Sequence, residues 1–418
     1  MTQLCTDAAP SDLDSFFRQT GSISGSLSTS TVELRLSSSF DMRVSAMEKL
    51  QNGYFKSLHR CLRQLSKTEH NTTSIFKKTG IDTIIIRSFI MFKMKKMALA
   101  ATAICVALSG QVSAKTLKLG MGDPIDSDQG ALAVRFQELL EAYSGGEMQV
   151  ELFPSGSLGS ETEMLQNVRM GSLDFALVGI GNVTPFAPKL GALTLPYMIE
   201  STSDAVKVTS GPINDRWKGM ARESGFEILS WTYSNFRYLT NSVRPVTQLS
   251  DIKGMKVRVP QNKIMLATYE AWGASPIAMA WPEVFAGLQQ GVIDGQDNPY
   301  IVNYTMKFQE VQDHLAEVHY NYSLQPLMAG VKGLSKFTEE EQEWIKQAGI
   351  EAQMYSLMFQ LEEAGKAKQG MIDAGVKVTT ISDEDQWIKL AKDNVWPAFY
   401  DQVGGKEFVD ELQSQLGR

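Results

Sequence analysis

The sequence predicts an α/β fold built on a parallel sheet, and the segment Asp251–Tyr300 carries most of the evidence. Three short β-rich runs alternate there with two stretches of helical spacing, in the order 256–259, 262–272, 276–280, 282–291 and 292–293. Pro260 is typical of a strand end, and Gly273 of the position that follows a helix. Strands that alternate with helices through short connections pair in parallel, and ligands of such sheets collect outside the carboxyl ends of the strands.

The rest of the chain continues this alternation. Period-two or continuous apolar runs predict strands at 116–122, 148–153, 173–178, 226–233, 237–241, 315–322, 327–331 and 376–381. Ser160 and Glu163 have the spacing of a capping box at a helix start. Residues 339–374 are helical in pattern throughout, and at about 1.5 Å per residue this helix is long enough to cross two domains. Residues 385–416 are helical with interruptions at Pro397 and Gly404-Gly405.

The chain has 418 residues, which is ample for two domains. Residues 91–114 combine lysines, an apolar run and the small-residue site Val112-Ser113-Ala114 in the order of a secretory signal peptide. We therefore expect export to the periplasm with cleavage after Ala114. A signal peptide belongs at the start of a chain, so we interpret residues 1–90 as an untranslated extension, with translation starting at Met91 or Met94. The alternative is a disordered extension before an uncleaved anchor.

The exported part, residues 115–418, is acidic and free of cysteine. It carries 26 basic and 39 acidic residues, a formal charge of −13. A surface of this charge disfavours nucleic acid and anionic membranes as partners. Without cysteine the exported chain has no thiol nucleophile, no disulfide and no lipidation site, so we expect a freely soluble monomer.

The sequence lacks the residues that catalysis or metal binding would need. His314 and His319 are the two histidines of the exported part, and without cysteine they make a poor zinc set. Asp294 and Asp297 resemble a carboxylate pair for hydrolysis or calcium, but no third acid lies close in sequence. No GxSxG, phosphate loop or HExxH motif occurs. We predict no enzymatic activity, no cofactor and no metal.

Arg258 and Asn298 instead predict an anion-binding site. Both stand near strand ends and would face the crevice at the edge of the sheet. A planar guanidinium binds a carboxylate through two parallel hydrogen bonds, a geometry that lysine cannot copy. The competing interpretation of Arg258 alone is a surface ion pair.

Several longer motifs make the chain resemble a known family. The segments FPSGSLGSE, GSLDFALV, FRYLTNSVRP, GMKVRVP and GASPIAMAWPEVFAGLQQGVIDGQDNP are similar to those of the solute-binding subunit of tripartite ATP-independent periplasmic (TRAP) transporters, dicarboxylate-binding branch. The resemblance covers residues 115–418. It implies a two-lobed periplasmic binding protein fold with a long helix spanning both lobes. Lobe one would comprise 115–235 with 324–363, and lobe two 236–323 with 364–418.

The resemblance also implies site residues and partners. The arginine that binds the ligand carboxylate in that family corresponds to Arg258, and a second, helper arginine corresponds to Arg237. The family's pocket asparagine corresponds to Asn298, and Gln261 and Trp281 occupy positions that line the cleft. We expect loops around Asn182 to face this site from the other lobe. The implied partners are an organic acid, such as a dicarboxylate or a sugar acid, and the small and large membrane subunits of a TRAP transporter. The alternative function is a binding protein that serves a sensor or receptor.

Overall fold

The computed structural model describes residues 114–418. The predicted extension and all but the last residue of the predicted signal peptide lie outside the described residues. The described part is a mixed α/β structure with two sheets, as the sequence predicts. No helix within residues 114–418 combines the length and the apolar character that crossing a bilayer requires.

The first sheet has five strands in the order β2-β1-β3-β10-β4. The strands β1 (Lys115–Met121), β2 (Met148–Phe153) and β3 (Phe175–Leu177) pair in parallel, whereas β10 (Tyr322–Gly330) runs antiparallel to both β3 and β4 (Phe226–Phe236). The helices that belong to this half are α1 (Asp128–Tyr143), α2 (Glu161–Met170), α3 (Ile180–Val183), α4 (Thr202–Val208), α5 (Gly211–Glu223) and α9 (Val331–Leu334). A 3-10 turn covers Pro188–Thr194.

The second sheet has six strands in the order β11-β9-β5-β8-β6-β7. Its strands are β5 (Tyr238–Asn241), β6 (Lys256–Val259), β7 (Ser275–Ala278), β8 (Gly295–Asn298), β9 (His314–Glu317) and β11 (Lys377–Thr380). The helices between them are α6 (Lys263–Ala271), α7 (Val284–Gln289) and α8 (Tyr300–Thr305), with 3-10 turns at Leu249–Ile252, Trp281–Glu283 and Phe308–Glu310. As predicted, β6 pairs in parallel with both β7 and β8.

One detail of the predicted α/β segment is wrong. The prediction starts the third strand at Val292 and ends it at the polar string, but β8 consists of that string, Gly295-Gln296-Asp297-Asn298. All four residues are buried, and β8 pairs with β5 and β6. A strand of polar residues is stable here because the buried side chains hydrogen-bond to each other and to neighbouring strands.

The two sheets are joined by two adjacent strand crossovers and by one long helix. The chain passes from β4 to β5 at Arg237 and from β9 to β10 at 318–321, where the Arg237 N–H donates to the Asn321 carbonyl over 2.9 Å. The helix α10 (Glu339–Asp373) packs on α1 and β4 of the first half and on α8 of the second. Its capping box at Thr338 and Glu341 fixes its start.

The C-terminal helices return to the first sheet. After α11 (Glu384–Leu390) and a π-helical turn (Ala391–Val395), the chain forms α12 (Trp396–Val403) and α13 (Lys406–Leu416). Residues of α12 and α13 belong to one hydrophobic cluster with residues of helix α5 and of the 3-10 turn Pro188–Thr194. The Phe408 ring contacts the fully buried Trp217 edge to face, with ring centres 5.5 Å apart. An aromatic contact of this kind contributes about 0.5–1.5 kcal/mol beyond the area that it buries.

Candidate functional site

A cavity lies between the two sheets, at the carboxyl ends of several parallel strands. Segments after β1 and β3 contribute to it from the first half, and the ends of β6, β7 and β8 from the second. The volume of this cavity is about 40 Å³. The position agrees with the rule that ligands of α/β sheets bind outside the carboxyl ends of the strands.

Arg258 lines this cavity from the end of β6 and is 3% exposed. Its Nε donates to the Met279 carbonyl over 3.0 Å, and its guanidinium carbon lies 5.2 Å from the centre of the Trp281 ring. Within residues 114–418 no carboxylate lies within 4.0 Å of Arg258, and its two terminal nitrogens make no hydrogen bond. Burial, and next the Arg237 charge, lower the pKa of Arg258 to about 10. The guanidinium stays charged at neutral pH and offers both terminal nitrogens to an anion.

Arg237 also lines the cavity, but it is already paired. Its Nε and Nη2 lie 3.1 Å from the two oxygens of Asp297, and Nη2 also donates to the Asp297 carbonyl. The Tyr320 hydroxyl donates to the same carboxylate. Burial acts to lower the pKa of Arg237, but Asp297 together with Tyr320 and Tyr269 outweighs burial, and the pKa is raised. Asp297 is therefore the partner of Arg237 in an ion pair. This pairing explains why Asp297 is buried, so neither a hydrolytic role nor a calcium site is needed to explain it.

Asn298 ends β8 beside the cavity and is held by a buried amide network. Its Nδ2 donates to Gln296 over 2.7 Å, and its carbonyl accepts from the Asn303 side chain over 2.7 Å. Gln296 in turn donates to Thr240 and Asn303, both over 2.8 Å. The Asn298 Oδ1 atom has no hydrogen-bond partner in the part of the chain that the structure describes. It is thus an oriented acceptor at the cavity.

Asn182 reaches the same cavity from the first half, on the short helix α3. Its Nδ2 donates to the Glu161 carboxylate, whose second oxygen accepts from the Gly179 N–H over 2.8 Å. Glu161 directly follows Ser160, which forms the predicted capping box with Glu163. The structure confirms this capping box. Burial raises the pKa of Glu161. The amide of Asn182 is therefore fixed, with its carbonyl oxygen left for another partner.

Asp123 is a second buried carboxyl at the cavity. It follows β1, is 3% exposed, and its backbone N–H donates to Gln129 over 3.0 Å. Burial raises the pKa of Asp123 well above its usual range, and the neighbouring Asp128 and Glu161 raise it further. The Trp281 N–H and the Arg237 charge act to lower this pKa. Within residues 114–418, however, the Asp123 carboxyl makes no hydrogen bond of ordinary geometry to Trp281 and no ion pair with Arg237. Within residues 114–418, the first half thus presents to the cavity a carboxyl without an ion pair, whereas the second half presents a guanidinium whose two terminal nitrogens are free.

The structure brings together five of the six predicted site residues. Arg237, Arg258, Asn298, Asn182 and Trp281 all line the cavity. Gln261 does not, and its side chain is exposed. Its neighbour Asn262 is buried instead, because Asn262 caps α6 by accepting from the Ile264 and Met265 N–H groups.

Sequence reasoning missed most of the polar residues that the first half contributes. Besides Asp123 and Glu161, these include Gln129 and three residues of β10 and its approach, namely Asn321, Ser323 and Gln325. The last three alternate with Tyr322 and Leu324, so they share one face of the strand. That period-two pattern of polar residues is the signal that would have identified them.

The described residues contain no cluster of three or more histidine, cysteine or carboxylate side chains that could hold a metal ion. His314 belongs to β9, and the His319 ring nitrogen lies 3.3 Å from Glu384. The two histidines therefore have different neighbours, and neither of them lines the cavity.

The sequence model for the bacterial extracellular solute-binding proteins of family 7 matches residues 120–402. The 2,3-diketo-L-gulonate-binding periplasmic protein of Escherichia coli strain K12 is 30% identical over 323 residues, which is 76% of this chain and 98% of that protein. Such relatives are binding proteins, in agreement with the prediction that the chain is not an enzyme.

Solved structures of similar proteins share the fold. A TRAP periplasmic solute-binding protein from Polaromonas sp. JS666, bound to D-erythronate, is 30% identical with a TM-score of 0.69, over 72% of this chain and 98% of that one. The sugar acid binding protein of Advenella mimigardefordensis, in complex with galactonate, is 27% identical with a TM-score of 0.70, over 72% and 97% of the two chains. The two-lobed fold predicted from the sequence is thereby confirmed.

Proposed function

The chain belongs to family 7 of the bacterial extracellular solute-binding proteins, and on this premise we propose that it binds a small organic acid in the cavity between its two lobes. The family is periplasmic and supplies TRAP transporters with solute. The observation that carries the proposal is Arg258, a buried and charged arginine without an ion pair among the described residues.

A buried charge without a counter-ion lowers the stability of the folded protein. Transfer of an isolated ammonium or guanidinium group into a dry interior costs several kcal/mol even after relaxation. A ligand carboxylate that accepts from both terminal nitrogens of Arg258 would offset this cost through two charge-assisted hydrogen bonds. The Trp281 ring, whose centre lies 5.2 Å from the guanidinium carbon, adds a cation–π contact.

The polar lining supports a hydroxylated acid. Asn298 and Asn182 hold fixed amide oxygens at the cavity, and Asn321, Ser323 and Gln325 add further polar groups. Each such group would pair with a ligand hydroxyl, and a polar group left unpaired in a closed site costs about 1–3 kcal/mol. The relatives bound to erythronate and galactonate make sugar acids the first compounds to test.

We further propose that Arg237 acts indirectly. Its guanidinium is committed to Asp297, so it holds the end of β8 and the strand crossover in place and adds positive potential at the cavity. Gln261, being exposed, has no place in the proposed site.

Capture would proceed by closure of the two lobes, followed by delivery to the two membrane subunits of a TRAP transporter. The lobes would follow the predicted division at the two crossovers near 236 and 323. The helices after Ala391, which the sequence-based division placed in lobe two with 364–418, would instead belong to lobe one, because they pack in its hydrophobic cluster. Hinge closure is a common way to bury a site built from two domains.

The proposal is tested by a thermal-shift screen of the purified chain 115–418 against organic acids. D-erythronate, D-galactonate and succinate are compared with uncharged counterparts, such as D-galactono-1,4-lactone. A ligand at 100 times its dissociation constant adds about 2.7 kcal/mol of stability, enough for a clear rise in melting temperature. Equal shifts for an acid and its lactone would contradict an anion site. Service to a sensor or receptor, the alternative, predicts the same binding, but deletion of the chain would then leave uptake of the acid unchanged.

A further inference from the structure

We propose that Asp123 forms a subsite for a hydroxyl group at the end of the ligand opposite its carboxylate, and that it selects monocarboxylates over dicarboxylates. This inference rests on the proposed function. It adds to that function a second recognition point and a rule about which acids are refused.

The cavity has opposite electrostatic character on its two sides. The second half presents the unpaired guanidinium of Arg258, whose carbon lies 5.2 Å from the centre of the Trp281 ring. Trp281 is close to that turn, since a Cβ atom added at Gly122 would lie 3.0 Å from its indole Cδ1. The first half presents Asp123, with no hydrogen bond of ordinary geometry and no ion pair to its carboxyl within the described chain.

Two further carboxyl groups reinforce the negative side. Glu161 lines the cavity, and Asp128 is fully buried at the start of α1, where it accepts from the Ser234 hydroxyl. Both raise the pKa of Asp123. Arg237, which opposes them, is paired with Asp297, whereas the unpaired Arg258 acts on Glu161. Once Arg258 binds the first carboxylate of the ligand, a second ligand carboxylate at this end would add a fourth acidic group to this buried cluster without a further unpaired cation from residues 114–418 in the cavity lining.

A hydroxyl satisfies this end of the cavity in either protonation state of Asp123. It donates a hydrogen bond to the ionised carboxylate, or accepts one from the protonated carboxyl. A ligand carboxylate can pair with Asp123 only if one of the two groups takes up a proton. A site that leaves one buried polar group unpaired, or sets like charges together, discriminates strongly between otherwise matched ligands.

The test compares acids that differ only at the far end of the carbon chain. D-galactonate and galactarate share every stereocentre, and oxidation of the terminal CH₂OH to carboxylate converts the first into the second. D-erythronate and meso-tartrate form the equivalent four-carbon pair. Calorimetric titration at pH 7.5 measures all four dissociation constants for the wild-type chain 115–418. We expect the better-bound monocarboxylate to bind at least tenfold more tightly than its dicarboxylate.

Two variants assign the selection to Asp123. Asp123→Asn keeps the shape and a hydrogen-bonding group but removes the charge, and we expect it to reduce the preference to threefold or less, mainly by improving dicarboxylate binding. Asp126→Asn changes an exposed carboxylate three residues further along and should leave the preference as in wild type. Circular dichroism melts of both variants establish that they fold.

The outcomes separate the two proposals. A wild-type chain that binds galactarate or meso-tartrate as tightly as its partner would overturn the Asp123 subsite and leave the anion site intact. A preference that survives Asp123→Asn would overturn it as well. If no acid in the proposed-function screen binds, both proposals fail together.

Discussion

Arg237 and Asp297 form a two-pronged ion pair inside the protein, with both nitrogen–oxygen distances at 3.1 Å and the Asp297 side chain fully buried. Arg237 stands at the crossover between the two sheets, and Asp297 belongs to β8. The pair therefore ties the crossover to the strand that ends at the cavity. The Tyr320 hydroxyl, from the second crossover, donates to the same carboxylate.

Removal of one partner of this pair should destabilise the fold. Asp297→Ala leaves the Arg237 guanidinium buried without its counter-ion, and breaking a buried pair in this way costs about 3–5 kcal/mol. Urea unfolding measures the loss, with Asp313→Ala, an exposed carboxylate of the same half, as the control expected within about 0.5 kcal/mol of wild type. A loss below 1 kcal/mol for Asp297→Ala would show that the pair contributes little.

Substitution of Arg258 should affect binding and spare the fold. Arg258→Lys keeps a charge but loses the second parallel hydrogen bond, and Arg258→Ala leaves the ligand carboxylate unpaired in the cavity. The loss for Arg258→Ala is expected to be about 2–5 kcal/mol, or roughly 30-fold to several thousand-fold in affinity, with Arg258→Lys intermediate.

Calorimetric titration with the best acid from the screen measures both variants. Lys256→Ala removes an exposed positive charge from the same strand and serves as the control. Melting temperatures should stay near that of wild type, because Arg258 has no ion pair among the described residues to lose. A folded Arg258→Ala chain that binds within fivefold of wild type would mean that the ligand anchor lies elsewhere.

Asn262 should govern closure of the lobes. Its Nδ2 lies 3.2 Å from the Gly181 carbonyl and the Thr184 hydroxyl and 3.3 Å from the Thr194 hydroxyl, all in the first half, while its Oδ1 caps α6. Asn262→Asp keeps the capping oxygen and loses the donor. We expect this variant to fold but to favour an open state and to bind its acid about tenfold more weakly.

Small-angle scattering tests the closure directly. The wild-type radius of gyration should decrease on saturation with ligand, and the ligand-free Asn262→Asp chain should be at least as extended as ligand-free wild type. Asn262→Ala, which loses both the cap and the donor, should in addition unfold at lower urea concentration. If the wild-type radius is the same with and without ligand, closure is refuted.

Asp128 should make stability depend on pH in a definite direction. Burial raises its pKa from about 3.9 in the unfolded chain to about 7 in the folded protein. Between these values the folded protein binds more protons than the unfolded chain, so this group lowers stability as the pH rises. The slope from one such group reaches about 1.4 kcal/mol per pH unit.

Urea unfolding of wild type and Asp128→Asn between pH 4.5 and pH 7 isolates the contribution. The variant gains stability relative to wild type as the pH rises, because its amide carries no charge to bury. Asp128→Asn also removes the charge that raises the pKa of the neighbouring Asp123, and this change acts in the same direction; groups that do not interact with Asp128 cancel in the difference. Parallel pH profiles would show that Asp128 titrates with an ordinary pKa when folded.

Local patterns in the sequence determined much of the fold. The alternation in 251–300 predicted the strands β6 and β7 and a third strand that it placed just before β8, and the helical pattern at 339–374 predicted α10 to within one residue. The capping box at Ser160 and Glu163 is also confirmed. These features depend on residues a few positions apart, where periodicity and capping chemistry act directly.

The polar string of β8, the packing of the C-terminal helices and the acidic side of the cavity were decided by tertiary structure. Asp297 lies 60 residues from Arg237 in the chain, so its burial in a strand is explicable only once the two are seen to pair. Phe408 meets Trp217 across an even longer separation. Asp123, an acid after a strand, gave no sign in the sequence that folding would bury it near Glu161, in the cavity that Arg258 also lines. The sequence determined which side chains were available, but their charges and pKa values depend on neighbours that only the folded chain brings together.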